Sequence, residues 1–269
     1  MSHFNRVLIT GAAGALGREL RLSGSRLGRH LRLTDIRPSQ NLAPHEDDMP
    51  CNLDDMDAVM AAVAGCDAII HLGAHATEGG WQEILHSNIM GTYNIYEAAR
   101  RHGVKRIVYA SSSHAVGYYE RTHTIDTRVP TKPDSLYGVS KTFGENLASM
   151  YFDKFGIESV CLRIGTCIAE PVDRRHLITW ISYGDLRHLV ECCLMAPRVG
   201  FLVSYASSDN HQSFWDNRHA SILGFRPQDS ADAFTEKIFA TTEQGDPEDP
   251  AVMFQGGIFC KWGHFDDKA

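Results

Sequence analysis

The chain has no run of lysines or arginines, and its 26 Lys and Arg are outnumbered by 33 Asp and Glu. A formal charge of -7 disfavours nucleic acid or an anionic membrane surface as a partner. No stretch approaches the ~18 consecutive apolar residues of a membrane-spanning helix, so no membrane span is expected. The opening "MSHFNRVLITG" runs straight into a strand-like segment and leaves no room for a signal peptide. There is no C-x-x-C, and the seven cysteines are an odd count. Such usage predicts reduced thiols in a cytoplasm. Fourteen histidines raise the question of a metal. The nearest ligand-like spacing, His71 and His75 in "HLGAH", has no acidic or cysteine partner at a metal-site interval. No metal site is expected. Internal repeats and low-complexity linkers are also missing.

What is present is enough apolar residue, 43% of 269, to bury a sizeable core in one or two domains. "RVLIT", "DAIIHLG" and "RIVYASS" are short, apolar, β-branched runs that close on small residues. Parallel strands covered on both faces have this character. "LRLTD" and "SVCLRIG" are two further strands. Helical patterns lie between them at "ALGRELRLSG", 53–65, 88–103 and 137–156, and Gly65, Gly103 and Gly156 sit where helices stop. This alternation predicts α/β architecture, a Rossmann-type doubly wound parallel sheet. After residue 168 the rhythm changes. A helix over 183–197, a short strand in "GFLVSYAS" and helical character in "WDNRHASILGFRPQD" and "ADAFTEKIFATT" follow. Residues 1–168 are read as the dinucleotide-binding region with the catalytic residues, and 169–269 as a small cap that does not fold independently.

"TGAAGALG" places Gly11, Gly14 and Gly17 three residues apart, after a strand and before a helix. Glycine allows the tight turn and a close approach of backbone to ligand. The helix start then offers N–H groups to a pyrophosphate. Asp35 ends the second strand, where an acidic residue can bond an adenosine ribose and repel a 2′-phosphate, favouring NAD over NADP. A cap is its other reading, and Arg37 nearby can meet a phosphate. Asn52 and Leu53 either flank the adenine or form an ordinary helix start.

In "LYGVSK", Tyr137 and Lys141 are one helical turn apart and share a face. A nearby ammonium favours the phenolate. Bringing a tyrosine from about 10 to about 7 needs roughly 4 kcal/mol, and such a base can take an alcohol proton as hydride leaves the same carbon. Ser111, Ser112 and Ser113 close the "RIVYASS" strand, where open α/β sheets bind ligands. A Ser112 hydroxyl there can hold the substrate oxygen; a serine run can also be turn chemistry.

Together "TGAAGALG", Asp35, Asn88, "SSS" and "YGVSK" resemble the extended short-chain dehydrogenase/reductase family. The resemblance implies that Ser112, Tyr137 and Lys141 are catalytic, that Lys141 also holds the nicotinamide ribose, and that Asn88 supports the lysine. It extends the NAD wall to Ala15, Leu16 and Ile36. Leu72, Gly73, Ala74 and Ile164 complete that wall. Dehydratases of the family carry Thr-Asp-Glu where this chain has three serines. Epimerases have a longer C-terminal region for a nucleotide diphosphate.

"HLGAHA", "NIMGTYNIYEAARRHG", "ASSSHAVGYY", "EPVDRRHLITW", "WDN" and "FQGG" are most similar to the uronate dehydrogenase branch. That branch implies NAD-dependent oxidation of the anomeric carbon of D-glucuronate or D-galacturonate to an aldarolactone, without a metal, in a homo-oligomer. His75, Ala76, Ser113, His114 and Thr166, with Ser112 and Tyr137, would meet the sugar. The chain departs from the branch at Ser113, often asparagine, and at Ala76, often serine; both bear on sugar preference. A guanidinium clamps a carboxylate well; "DRR" offers Arg174 and Arg175, and the similarity favours Arg175, a surface salt bridge being the other reading. His114 can donate to a sugar hydroxyl or simply pack. The rival functions are a nucleotide-sugar epimerase with tightly held NAD and a non-catalytic dinucleotide sensor.

Overall fold

Strand β1 (Arg6–Thr10) alternates its side chains between two cores, Val7 and Ile9 to one and Leu8 to the other. Period-two alternation with both faces apolar requires a covered sheet. The computed structural model, which describes residues 4–265, meets that requirement with seven strands. After β1 come β2 (His30–Thr34), β3 (Glu46–Asp48), β4 (Ala68–His71), β5 (Arg106–Ser112), β6 (Glu158–Ile164) and β7 (Phe201–Ala206). Their order is β3-β2-β1-β4-β5-β6-β7, and every pair is parallel.

Helices α1 (Ala15–Arg21) and α2 (Met56–Val63) follow β1 and β3. A short α3 (Trp81–Ile84) leads through a widened π-turn over Leu85–Met90 into α4 (Gly91–His102). The expected helix over 88–103 therefore begins earlier, and its first residues sit in the π-turn. Next come α5 (Leu136–Phe155), α6 (His176–Thr179) and α7 (Tyr183–Met195). The core around Val7, Ile9 and Val108 includes Leu20 and Leu186, so α1 and α7 cover that face. The core around Leu8 and Ile107 includes Val59, Ile95 and Ala148, so α2, α4 and α5 cover the other.

β7 and α7 fall after residue 168, so the stretch read as cap supplies the sheet's last strand and one flanking helix. "GFLVSYAS" pairs with β6 because Val160 and Leu162 offer a buried neighbour in register, opposite Leu202 and Ser204.

Beyond β7 the chain returns across the sheet's carboxyl end. Residues 253–256 bind the loop at 117–123: Arg121 N donates to Met253 O, Gln255 N to Tyr119 O and Gly256 N to Gly117 O, at 2.9, 2.8 and 2.8 Å. The Arg121 guanidinium adds bonds to Ala251 O at 2.7 Å and Phe254 O at 3.0 Å. Gln255, 1% exposed, donates to Glu120 O and His123 O and accepts from Trp215 Nε1. This strap brings Phe259 over the site.

Candidate active site

The order reverses between β1 and β4, neighbours that are not consecutive in sequence. Ligands bind open α/β sheets at the carboxyl edge of such a switch point. A cavity of about 720 Å³ lies there. The glycine turn forms one wall. Gly11 has φ +67, and a Cβ on it would fall 2.9 Å from Gly73 N. A Cβ on Gly17 would overlap Gly11 O and Ala12. The backbone packs too closely at both positions for any side chain, which keeps the turn tight and leaves the N–H groups of the helix start to face a close-lying diphosphate. Ala15, Leu16, Ile36, Leu72, Gly73, Ala74 and Ile164 reach the cavity. Asp35 reaches it too, and its carboxylate also accepts from Ala13 N at 3.1 Å and Arg37 N at 3.3 Å. Asn52 and Leu53 line it as well. Asn52 is not the cap of α2: that cap is Asp55, which accepts from Asp57 N and Ala58 N.

Tyr137 and Lys141 are on the inward face of α5, 8% and 3% exposed. Glu145, one turn further, fixes that face. It accepts from Arg163 on β6 at 2.9 and 2.8 Å and from Ser111 Oγ at 2.6 Å. This buried bidentate pair ties α5 to the ends of β5 and β6, and removing one partner alone would cost several kcal/mol, roughly 3–5. At the other end, Ser135 caps α5 by accepting from Gly138 N. Glu78, from the loop after β4, accepts from Leu136 N at 3.2 Å and Tyr137 N at 2.9 Å. α5 has no acidic residue in its own first turn; Glu78 provides the negative charge that a helix start favours.

The expected lowering of Tyr137 draws on Lys141 together with the positive ring of an oxidised nicotinamide, and the protein groups by themselves do not produce it. Burial pushes the Tyr137 phenol up to about 12, against a favourable hydrogen bond with Ser112. Burial also brings Lys141 down to about 8. The ammonium sits 5.4 Å from the Tyr137 ring centroid and spends a 2.8 Å bond on Ala110 O. Desolvation outweighs this attraction.

Asn88 does not reach the cavity. It is 1% exposed in the π-turn, accepts from His75 N at 2.7 Å, and donates to His75 O and Ser140 Oγ. It therefore supports the residue before Lys141 and the loop at His75. His75, Ala76, Ser112 and His114 line the cavity; Ser113 is buried beside it, and Thr166 pairs with Thr179 Oγ1 at 3.1 Å. Arg175 is also outside the cavity wall, behind Gly257, whose added Cβ would meet Arg175 Cδ at 2.7 Å. Its Nε donates to Gln255 O at 2.9 Å, while the buried Nη2 has no partner among the described residues. Burial, then the charge of Arg121, lowers Arg175 to about 10. Arg174 differs: it bonds Thr242 and stacks over Phe239. Sequence reasoning missed Glu78, Asp134 and Phe259. Each lies two residues outside a quoted motif, "HLGAHA", "LYGVSK" and "FQGG" respectively, and no spacing rule points to any of them.

The profile of the NAD dependent epimerase/dehydratase family matches residues 7–183. A uronate dehydrogenase of Pseudomonas syringae pv. tomato is 48% identical, covering 98% of this chain and 96% of that protein. One from Agrobacterium fabrum is 50% identical over 94% of this chain and 96% of its own length. A solved tyrosine mutant of uronate dehydrogenase from Agrobacterium tumefaciens, complexed with NAD, superposes with a TM-score of 0.94 at 48% identity, covering 98% of this chain and 99% of that one. With the glycine turn at the switch point and relatives matched along nearly their whole length, the chain belongs to the NAD dependent epimerase/dehydratase family, beside the uronate dehydrogenases.

Proposed function

We propose that the chain oxidises the anomeric carbon of D-glucuronate or D-galacturonate with NAD, giving the aldarolactone. The observation that carries this reading is the meeting of Ser112, Tyr137 and Lys141 at the end of the glycine-lined cavity. The full-length likeness to uronate dehydrogenases supports the substrate class. Gly11, Gly14 and Gly17 would hold the diphosphate, Asp35 the adenosine ribose, and Lys141 the nicotinamide ribose. When bound, NAD supplies the hydride acceptor and a positive ring that favours a phenolate. Ser112 holds the anomeric hydroxyl and Tyr137 takes its proton. Lys141 places a positive charge next to that phenol. Arg175 lies behind Gly257, and its unpaired buried Nη2 supports a role in holding the uronate carboxylate.

The segments after β7 act as the sugar-side cap. Seven free cysteines support a cytoplasmic location. Exposed Tyr93, Val139, Met150 and Phe155 on α4 and α5 support a homo-oligomer.

The deciding experiment follows NADH absorbance with NAD or NADP against free and nucleotide-linked sugars. Net NADH from free uronates is expected. Isomer exchange of a nucleotide sugar without net NADH would replace this reading with an epimerase.

A further inference from the structure

His114 stands beside the reacting groups, and its ring is held from three sides. Phe259 stacks on it at 3.8 Å between centroids, and Tyr137 meets it edge-on at 5.8 Å. Nδ1 lies 2.7 Å from Asp134 Oδ2. The backbone is held too: His114 N donates to Ser112 Oγ at 3.2 Å, and a Cβ on Gly138 would overlap His114 O.

Asp134 is built into this place. Its side chain is 0% exposed. A carboxylate so buried needs its acceptor sites filled. Ser135 Oγ donates to Oδ1 at 2.8 Å, and Cys260 Sγ lies 3.9 Å from Oδ2. Gly117 and Gly256 close over it, and a Cβ on either would collide with the carboxylate. Gly256 and Cys260 belong to the strap and Gly117 to the loop it binds, so one side chain joins His114 to the whole sugar-side wall.

We propose that Asp134 is a positioning residue that sets His114 as a hydrogen-bond acceptor toward the substrate. A carboxylate only accepts, so the hydrogen in this bond is on Nδ1. In the neutral ring Nε2 is then bare. Nε2 has no bond to the described residues, and His114 lines the cavity. The ring therefore selects a sugar hydroxyl that donates to it, the reverse of the donating role expected from the sequence. This inference rests on the uronate reading. The same logic, a carboxylate choosing the tautomer of a neighbouring histidine, operates in hydrolytic triads.

The first test uses the parent protein with ¹⁵N-labelled histidine and bound NAD, with and without uronate. The His114 ring signals are assigned by their loss in His114→Gln. Protonated Nδ1 with bare Nε2 is expected; bare Nδ1, or two protonated nitrogens, overturns the proposal. The second uses Asp134→Asn, whose amide can donate to Nδ1 and reverse the tautomer. The uronate KM should rise about five- to ten-fold, the range of one hydrogen bond, with the NAD KM and Tm near parental. Uronates carrying a single fluorine for hydroxyl at C2, C3 or C4 add a further readout, because fluorine cannot donate. The parent should discriminate against one of them, and Asp134→Asn should lose that discrimination. Equal discrimination in both proteins, or a parallel rise in uronate and NAD KM, makes Asp134 merely structural. If no uronate yields NADH, the function fails, while the ring spectra still decide the tautomer.

Discussion

Burial keeps the Tyr137 phenol protonated, so its usefulness as a base depends on positive charge arriving beside it. Tyr137→Phe should keep NAD affinity and lose about 10²–10⁴ in turnover. Steady-state NADH rates with parallel NAD titration check this; activity within about threefold of the parent would remove Tyr137 from the chemistry. Asp35→Ala should weaken NAD and narrow the gap to NADP, since the ribose bonds and the repulsion of a 2′-phosphate vanish together. An unchanged NAD/NADP ratio would leave Asp35 with only its turn bonds to Ala13 and Arg37. Arg175→Ala should raise the uronate KM and lower kcat, because orientation at the anomeric carbon also suffers. Arg175→Lys should rescue only partly, lacking the forked geometry. Neutral glucose and galactose serve as controls: equal damage to uronate and neutral sugar would show that the bond to Gln255 O, rather than the free Nη2, is what matters.

At the level of elements, α5 is placed by two carboxylates of opposite legibility. The Tyr137, Lys141 and Glu145 spacing is visible in sequence, because four-residue steps mark one helix face. β1, β4 and β5 were equally legible, being apolar runs that end on small residues. Glu78 was not: its partners Leu136 N and Tyr137 N are 58 and 59 residues away. Only the folded loop brings it to the helix start. Asp134 was hidden for the same reason, since its slot needs Gly117 and Gly256 from distant segments. β7 was seen as a strand but not as part of the sheet, because strand order depends on packing after the last crossover. Glu78→Ala should cost about 1 kcal/mol through loss of a carboxylate at a helix start. That corresponds to a Tm lower by about 2–4 °C. Turnover should fall as well, because Tyr137 N is one of the two groups released. Differential scanning calorimetry and NADH rates read the two effects; an unchanged Tm would show that water replaces the carboxylate without loss.

For the whole molecule, His71 reports on global unfolding in acid. It is 1% exposed, with Thr10 Oγ1 2.8 Å from Nδ1 and Thr92 Oγ1 3.3 Å from Nε2. Burial, then the charge of Lys141, lowers it from 6.5 to about 3. Above the ordinary value both folded and unfolded forms are neutral, so His71 adds no pH dependence. Below it the unfolded chain takes up the proton first. Stability should therefore fall between 6.5 and about 3, by about 1.4 kcal/mol per pH unit from this group. His71→Asn should flatten that slope while lowering stability at neutral pH. Urea midpoints at about pH 7, 6 and 5 test the linkage; parallel slopes for parent and variant would dismiss it.

The strap that carries Phe259 also sets a timetable for synthesis. Gly11 leaves the ribosome early, while Phe259 follows 248 residues later. At about 5–20 residues per second, roughly 12 to 50 seconds pass between them. Late in that interval the nascent chain can assemble a dinucleotide cradle whose substrate end still lacks Phe259. A message truncated before the codon for Phe254 would leave every copy in that state: a folded sheet with Arg175 lacking Gln255, His114 lacking Phe259, and Asp134 open to water.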